Sequence, residues 1–222
     1  MAAVASPLVS YFEWHAEPGY WRDVTRHFDR DEPLLDIGCG TAWLSRHFEA
    51  YTGIDGSADA VDAARARGVE VLHGDVSAPL PFEDATFTGV VMKDLLEHVP
   101  DPVATVREAR RVLRPGGRVF ASSPDAQRWV WDDYTHRRPF TRTAFRRLFA
   151  DQGLEVLRCG YESVMPGSSI VAARTRDNRR PALLRAAAWL PLLRRNVWIL
   201  ARRPITPGVT ERQAHVSASR ST

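Results

Sequence analysis

The stretch Leu34-Leu35-Asp36-Ile37-Gly38-Cys39-Gly40-Thr41-Ala42-Trp43-Leu44 constrains the fold more than any other part of the chain. Pro33 followed by a run rich in Leu and Ile reads as a buried strand, and Gly38 and Gly40 then allow backbone conformations and close approaches that a Cβ forbids. Thr41 is placed to cap a helix running through Leu44, Arg46, His47 and Phe48, with Leu44, His47 and Phe48 on one face. A glycine turn that opens into a helix presents unpaired N–H groups. Two glycines alone also suit a plain strand-to-helix turn, so the rest of the chain decides between the two.

Two further segments repeat the pattern. Tyr51-Thr52-Gly53-Ile54-Asp55 is a second short apolar strand ending in an acid, and Val69 to Val76, with Gly74-Asp75 near its end, is a third. A carboxylate at the end of the second strand of a βαβ unit is where nucleotide folds bind a ribose diol. Parallel pairing of the three strands would place Asp36, Asp55 and Asp75 along one carboxyl edge, the edge at which open α/β sheets bind ligands.

In this context five motifs occur in order: Asp36-Ile-Gly-Cys-Gly-Thr, Gly53-Ile-Asp55, Gly74-Asp75 before Leu80-Pro81-Phe82, Leu96-Glu97-His98-Val99-Pro100-Asp101-Pro102, and Leu113-Arg114-Pro115-Gly116-Gly117. Together, over roughly residues 33–123, they resemble the class I S-adenosylmethionine-dependent methyltransferases, most of all the small-molecule branch. The third small position of that family's glycine loop is Ala42 here, a conservative departure. The resemblance implies a Rossmann-like α/β fold, with a mostly parallel seven-stranded sheet, helices on both faces and the last strand antiparallel.

It also implies roles. Gly38 and Gly40 would let the backbone pass close to the methionyl part of S-adenosylmethionine, and Asp36 would order that loop or meet the cofactor's amino group. Asp55, followed by Gly56, would accept hydrogen bonds from both ribose hydroxyls, a task suited to a carboxylate with two acceptor oxygens. Asp75 would take the adenine amino group, with the Val76 N–H aimed at the ring, and the main chain around Met92 and Lys93 would close the site beneath the sulfonium. S-adenosylhomocysteine would be the product.

Taken in order, the first thirty residues hold Tyr11, Phe12, Trp14, Tyr20, Trp21 and Phe28, split by Pro18-Gly19 into two short helical segments. The resemblance makes residues 1–30 a lid that covers the cofactor and helps shape the acceptor pocket; the plainer reading is that the aromatics dock the segment on the core. Ser57 to Arg67 reads as a helix with Ala60, Val61 and Ala64 inward, Ala85 to Met92 as the fourth strand, and Pro102 to Leu113 as a helix stopped by Pro115-Gly116-Gly117. Arg118 to Ser122 is then the fifth strand. Alternation of this kind implies a parallel sheet with right-handed crossovers. Thr141 to Asp151 is a helix capped by Thr141, Leu154 to Tyr161 a strand, and Val197 to Ala201 is preferred over Ser169 to Ala173 as the last strand. The expected division is a lid over 1–30, the methyltransferase domain over 31–203 with a cap or insertion at about 163–195, and a disordered tail over 204–222.

Composition excludes several classes. With 222 residues, 44% hydrophobic and 26% charged, the chain suits one soluble α/β domain. Met1 to Ser10 lacks the pattern of an export signal, and no apolar run is long enough to span a bilayer. Cys39 and Cys159 read as reduced thiols, which points to the cytoplasm, and neither has the spacing of a metal site, so no metal is expected. The net charge of +3 is unevenly spread: residues 174–222 carry +9 and residues 1–173 carry −6. The basic end is either a solubilising face, in a chain whose sole lysine is Lys93, or a contact with a membrane surface or an anionic carrier.

Methyl transfer is an in-line displacement, so aligning the reactants supplies much of the rate, and a base is needed only where the acceptor must lose a proton. His98, after the fourth strand, and His136, in the aromatic loop Trp129 to His136, are the candidates. Asp132, Asp133 and Tyr134 equally suit orienting an acceptor. A nicotinamide dehydrogenase needs a small residue where Trp43 stands. A nucleic-acid substrate is not expected, because Lys93-Asp94-Leu95-Leu96 is unlike the Asn-Pro-Pro-aromatic segment of base-amine methyltransferases. The expected activity is methylation of an O or N atom of a small molecule, such as a natural-product intermediate. A glycan or lipid-linked acceptor is the second reading, and a non-catalytic cofactor-binding protein the third.

Overall fold

In the computed structural model, residues 21–163 and 194–205 are described. The aromatic segment before Trp21, most of the expected insertion and the tail beyond Ile205 lie outside them. In chain order the elements are α1 (Arg22–Thr25), β1 (Leu34–Ile37), a 3-10 turn (Trp43–His47), β2 (Tyr51–Asp55), α2 (Ala58–Arg65), β3 (Val71–His73) and β4 (Phe87–Lys93). Then come α3 (Pro102–Val112), β5 (Leu113–Pro124), a second 3-10 turn (Arg128–Asp132), α4 (Arg142–Asp151), β6 (Glu155–Ser163) and β7 (Arg194–Arg202).

The seven strands form one sheet in the order β3-β2-β1-β4-β5-β7-β6. The first five are parallel, and β7 lies antiparallel between β5 and β6. The expected Val197–Ala201 strand is thus present and longer at both ends. Strand order reverses between β1 and β4, which opens a crevice beyond their carboxyl ends.

Register explains which side chains fill each face. Leu34 and Asp36 lie beside Tyr51 and Gly53, while Leu35 and Ile37 point the other way. On that second face α3 and α4 bring Val106, Ala109, Val112, Phe145 and Phe149 onto Leu35, Ile37, Val90, Met92 and Ile199. On the first face Trp21, Val24 and Phe28 pack with Leu34, Val91 and Phe120, which docks this part of the N-terminal segment on the core. Gly89 makes room for this, since a Cβ there would stand 2.6 Å from Leu34 Cδ1 and 2.7 Å from Phe28 Cδ1.

Capping follows the sequence at three helices and fails at a fourth element. Ser57, Asp101 and Thr141 each accept backbone N–H groups at the starts of α2, α3 and α4. Thr41 caps nothing: Ala42 takes a left-handed φ of 58° and only a 3-10 turn follows, with Leu44 and Phe48 buried. The Thr41 hydroxyl is buried without a partner. A second correction concerns β5, which begins at Leu113 and takes in Pro115-Gly116-Gly117 as a register shift between Phe87 and Gly89. Arg203 closes the end of α3 there, donating to the carbonyls of Arg110, Arg111 and Leu113.

Candidate active site

Parallel pairing puts the ends of β1 to β5 on one edge, and the acids named from sequence all fall there. Their orientations differ. Both Asp55 oxygens serve the loop: Oδ2 accepts the Gly40 N–H at 2.7 Å and Oδ1 the Ser57 N–H at 2.8 Å. Asp55 is half-buried, and each oxygen retains a second acceptor site for a diol. Asp75 is exposed, with Oδ1 accepting the Ser77 N–H at 2.8 Å in a tight turn just before the loop to Leu80. Val76 is half-buried behind it and packs on the core. Gly56 and Gly74 face each other across the strand ends, where a Cβ on Gly56 would come 3.7 Å from the Gly74 carbonyl.

The glycine loop departs from expectation. Gly38 and Cys39 both donate to the Ile54 carbonyl and Gly40 to Asp55, so these three N–H groups are spent inside the protein rather than left unpaired. Gly38 has a φ of 73°, and a Cβ there would meet Leu95 at 2.8 Å. Its freedom serves the turn and the packing of Leu95.

Asp36 is the other departure. It is 1% exposed, and its Oδ2 accepts the Tyr51 hydroxyl at 2.9 Å beneath the loop. Tyr51 reaches it by crossing Gly53, where a Cβ would lie 2.9 Å from Cys39 Sγ and 3.0 Å from the Tyr51 hydroxyl. Burial lifts the Asp36 carboxyl from 3.8 to about 7, against the lowering effect of the Tyr51 hydrogen bond. This arrangement matches the loop-ordering role expected of Asp36. Lys93 ends β4 beside Ser122, with its side chain 6% exposed.

Beyond β4 the chain turns at Asp94, whose φ is 53° and whose Oδ1 accepts from Ser122 Oγ and Asn196 Nδ2. This turn delivers Glu97 and His98 to the edge. The loop after β5 meets them, because Arg137 donates its N–H to the Glu97 carbonyl at 2.7 Å. His98 and His136, 38 residues apart in sequence, thereby come to a ring separation of 4.8 Å.

The polar contacts assign their tautomers. Thr135 Oγ1 donates to Asp133 Oδ1 at 2.6 Å and so accepts from His98 Nδ1 at 3.1 Å. His136 Nδ1 donates to the Val130 carbonyl at 2.6 Å. Each ring therefore leaves its Nε2 for other partners, that of His98 lying 4.0 Å from Glu97 Oε1 and that of His136 3.7 Å from Asp133 Oδ2. Burial, and next the charge of His136, lower the His98 pKa below 6.5. Trp131 and Tyr134 are exposed on the same loop, and Val130 is buried under it.

Glu97 is the residue that the sequence reasoning passed over. It is 0% exposed, and neither carboxylate oxygen has a hydrogen-bond partner. Burial first, and then the nearby Asp94 charge, hold its carboxyl well above the usual range. An acid enclosed by Leu95, Leu96 and Val99 was the available sign, since Glu is rarely buried without a partner.

The donor set suits S-adenosylmethionine. Asp55 offers spare acceptor sites, Asp75 an exposed carboxylate, and Gly56 and Gly74 carry no side chain of their own between them. Comparison with known proteins agrees. A family described as methyltransferase domain matches residues 35–121. An uncharacterised protein of a Streptomyces fradiae transposon is 40% identical over 116 residues, covering 47% of this chain and 32% of that one. A ubiquinone biosynthesis O-methyltransferase of Aromatoleum aromaticum is 37% identical over 100 residues, covering 40% and 43%. The chain thus spans a third to a half of the length of the curated relatives it matches. An S-adenosylmethionine-dependent methyltransferase from Mesorhizobium loti superposes with a TM-score of 0.63 at 18% identity, over 82% of this chain and 97% of the other. The methyltransferase-domain match over residues 35–121 and the fold shared with solved S-adenosylmethionine-dependent methyltransferases together support a class I S-adenosylmethionine-dependent methyltransferase.

Proposed function

We propose that the chain transfers a methyl group from S-adenosylmethionine to a hydroxyl or amine of a small molecule, with a hydroxyl preferred. The observation that carries this reading is the pair of imidazoles, each held through Nδ1 and presenting its Nε2, set at the end of β4. The similarity to an O-methyltransferase of ubiquinone biosynthesis supports the preference for oxygen. When bound, the cofactor supplies a sulfonium-held methyl group as the electrophile.

The chain's residues supply the rest. Asp55 and Asp75 fix the nucleoside, and the loop ordered by Asp55 and, from below, by Asp36 and Tyr51 sets the depth of the methionyl end. The exposed Trp131 and Tyr134 offer flat aromatic surface for the acceptor. His136 Nε2 takes the acceptor's proton, while Val130 holds the ring in the tautomer that can do so. Residues 174–222, with a charge of +9, keep an anionic or lipid-linked acceptor as a second reading. No helix among the described residues is long and apolar enough to cross a membrane.

The test is transfer of labelled methyl from S-adenosylmethionine to a panel of phenols, catechols, alcohols and amines. Product with a hydroxylated aromatic, reduced about a hundredfold or more in His136→Gln, supports the reading; general bases contribute on this scale. Because the neutral form of His98 persists below pH 6.5, an activity limb set by it lies on the acid side of that value and is lost as pH falls further. Saturable cofactor binding with no transfer to any acceptor of the panel refutes it in favour of a binding protein.

A further inference from the structure

The cluster at the end of β4 has the composition of a metal site, a role that its residues showed no sign of in the sequence. One ligating atom from each of Glu97, His98 and His136 lies within 4.8 Å of the others. Their burial differs: the side chains of Glu97 and His136 are enclosed, at 0% and 7% exposure, while that of His98 is part-exposed.

Three features point to a cation, the last two drawn from the same pair of contacts. First, a completely buried carboxylate with two orphaned oxygens is expensive, and burial of such a group is ordinarily tied to a partner or a metal. Second, both imidazoles are oriented with Nε2 toward the cluster. Their Nδ1 atoms are taken up by Thr135 and by the Val130 carbonyl, so that each Nε2 is the open donor. Third, those supports are what surrounds metal-bound histidines. His98 is backed by Thr135, which Asp133 holds in turn, and His136 by a main-chain carbonyl.

From this geometry we propose that Glu97, His98 and His136 bind a first-row divalent cation of the zinc, cobalt or iron(II) type. Two nitrogens and one carboxylate oxygen suit such an ion rather than magnesium or calcium, which prefer oxygen throughout. Ligand bonds of about 2.1 Å place tetrahedral donors about 3.4 Å apart, so the three atoms close by roughly an ångström as the ion enters. His98, part-exposed on a turn, is free to make that move. Asp133 Oδ2, 3.7 Å from His136 Nε2, stands on the far side as a further acid.

Three protein ligands leave open positions, the arrangement of catalytic rather than structural sites. The consequence for chemistry rests on the proposed methyl transfer; the binding itself does not. With the ion in place both Nε2 atoms would be engaged, and in that state coordination would replace His136 in activating an acceptor hydroxyl. The acceptor oxygen, its proton lost to solvent, would form the O–CH3 bond as the S–CH3 bond breaks, giving a neutral ether and a neutral thioether.

The experiment is titration of the metal-stripped full chain with Co2+, read by its visible d–d absorption, alongside calorimetric titration with Zn2+ and, in separate cells, with S-adenosylhomocysteine. The expected result is one ion per chain with a low-symmetry Co2+ spectrum, and affinity at least about tenfold weaker in Glu97→Gln, in His98→Ala and in His136→Ala. His73→Ala, at an exposed site on β3, retains wild-type affinity. Absence of stoichiometric binding by the wild type overturns the proposal and leaves Glu97 as a buried neutral acid. Binding that all three variants keep also overturns it, by placing the ion elsewhere. S-adenosylhomocysteine binding fails independently if the methyltransferase reading is wrong, so the two failures are told apart.

Discussion

Replacing Asp36 by Asn tests whether this acid supports the loop from within. In the folded chain the carboxyl keeps its proton up to about pH 7, whereas the unfolded chain loses it near 3.8. Between these values the native state holds more protons than the unfolded state, so stability falls as pH rises, fully present below the lower value and lost by the upper one. From pH 5 to pH 8 the folded pKa lies two units above the starting point, which at 1.36 kcal/mol per unit is a loss of about 3 kcal/mol. Asn cannot ionise, and its amide oxygen still accepts the Tyr51 hydroxyl. Urea unfolding of the ligand-free protein and of Asp36→Asn at pH 5 and pH 8 reads the difference directly, because the other titrating groups are common to both. The variant is expected to gain about 3 kcal/mol relative to wild type across this range. Parallel pH profiles for the two proteins would refute the argument, since they would mean that Asp36 ionises in the folded state as easily as in the unfolded one.

Two other sites give sharp expectations. Gly53→Ala places a methyl group against Cys39 Sγ and the Tyr51 ring, and should cost about 1–3 kcal/mol by displacing Tyr51 from Asp36; the urea midpoint measures it. Arg203→Ala removes the donor shared by three carbonyls at the end of α3 and should cost on the order of 1–3 kcal/mol, seen as a lower thermal midpoint with little change in cofactor affinity.

Much of the fold was legible because parallel strands announce themselves. Each of β1, β2 and β3 is a short apolar run closed by an acid or a glycine, and alternation with Ala60-Val61-Ala64 and Val106-Ala109-Val112 fixed the helices between. The sheet edge carrying Asp55 and Asp75 followed from that alone. What escaped was the direction of individual side chains. Asp36 and Asp55 both close strands, yet Asp36 faces Tyr51 beneath the loop and Asp55 faces the loop itself, a difference of register and not of residue type. Thr41 looked like a cap, but the left-handed Ala42 takes the chain into a 3-10 turn instead. His98 and His136 could be named as candidates separately; their meeting over Glu97 depends on Arg137 docking on the Glu97 carbonyl, a long-range contact with no sequence period to mark it.

The central claim is that this edge binds S-adenosylmethionine, and calorimetric titration of the wild type and of Asp55→Asn with S-adenosylhomocysteine tests it most directly. Asn keeps the shape and an acceptor for the loop but loses the charge that meets the ribose, a loss of about 1.5–3 kcal/mol. Saturable one-to-one binding by the wild type, weakened roughly ten- to hundredfold in the variant, is the result predicted. A folded wild-type protein that binds neither S-adenosylhomocysteine nor S-adenosylmethionine, or an Asp55→Asn variant that binds with wild-type affinity, would contradict it.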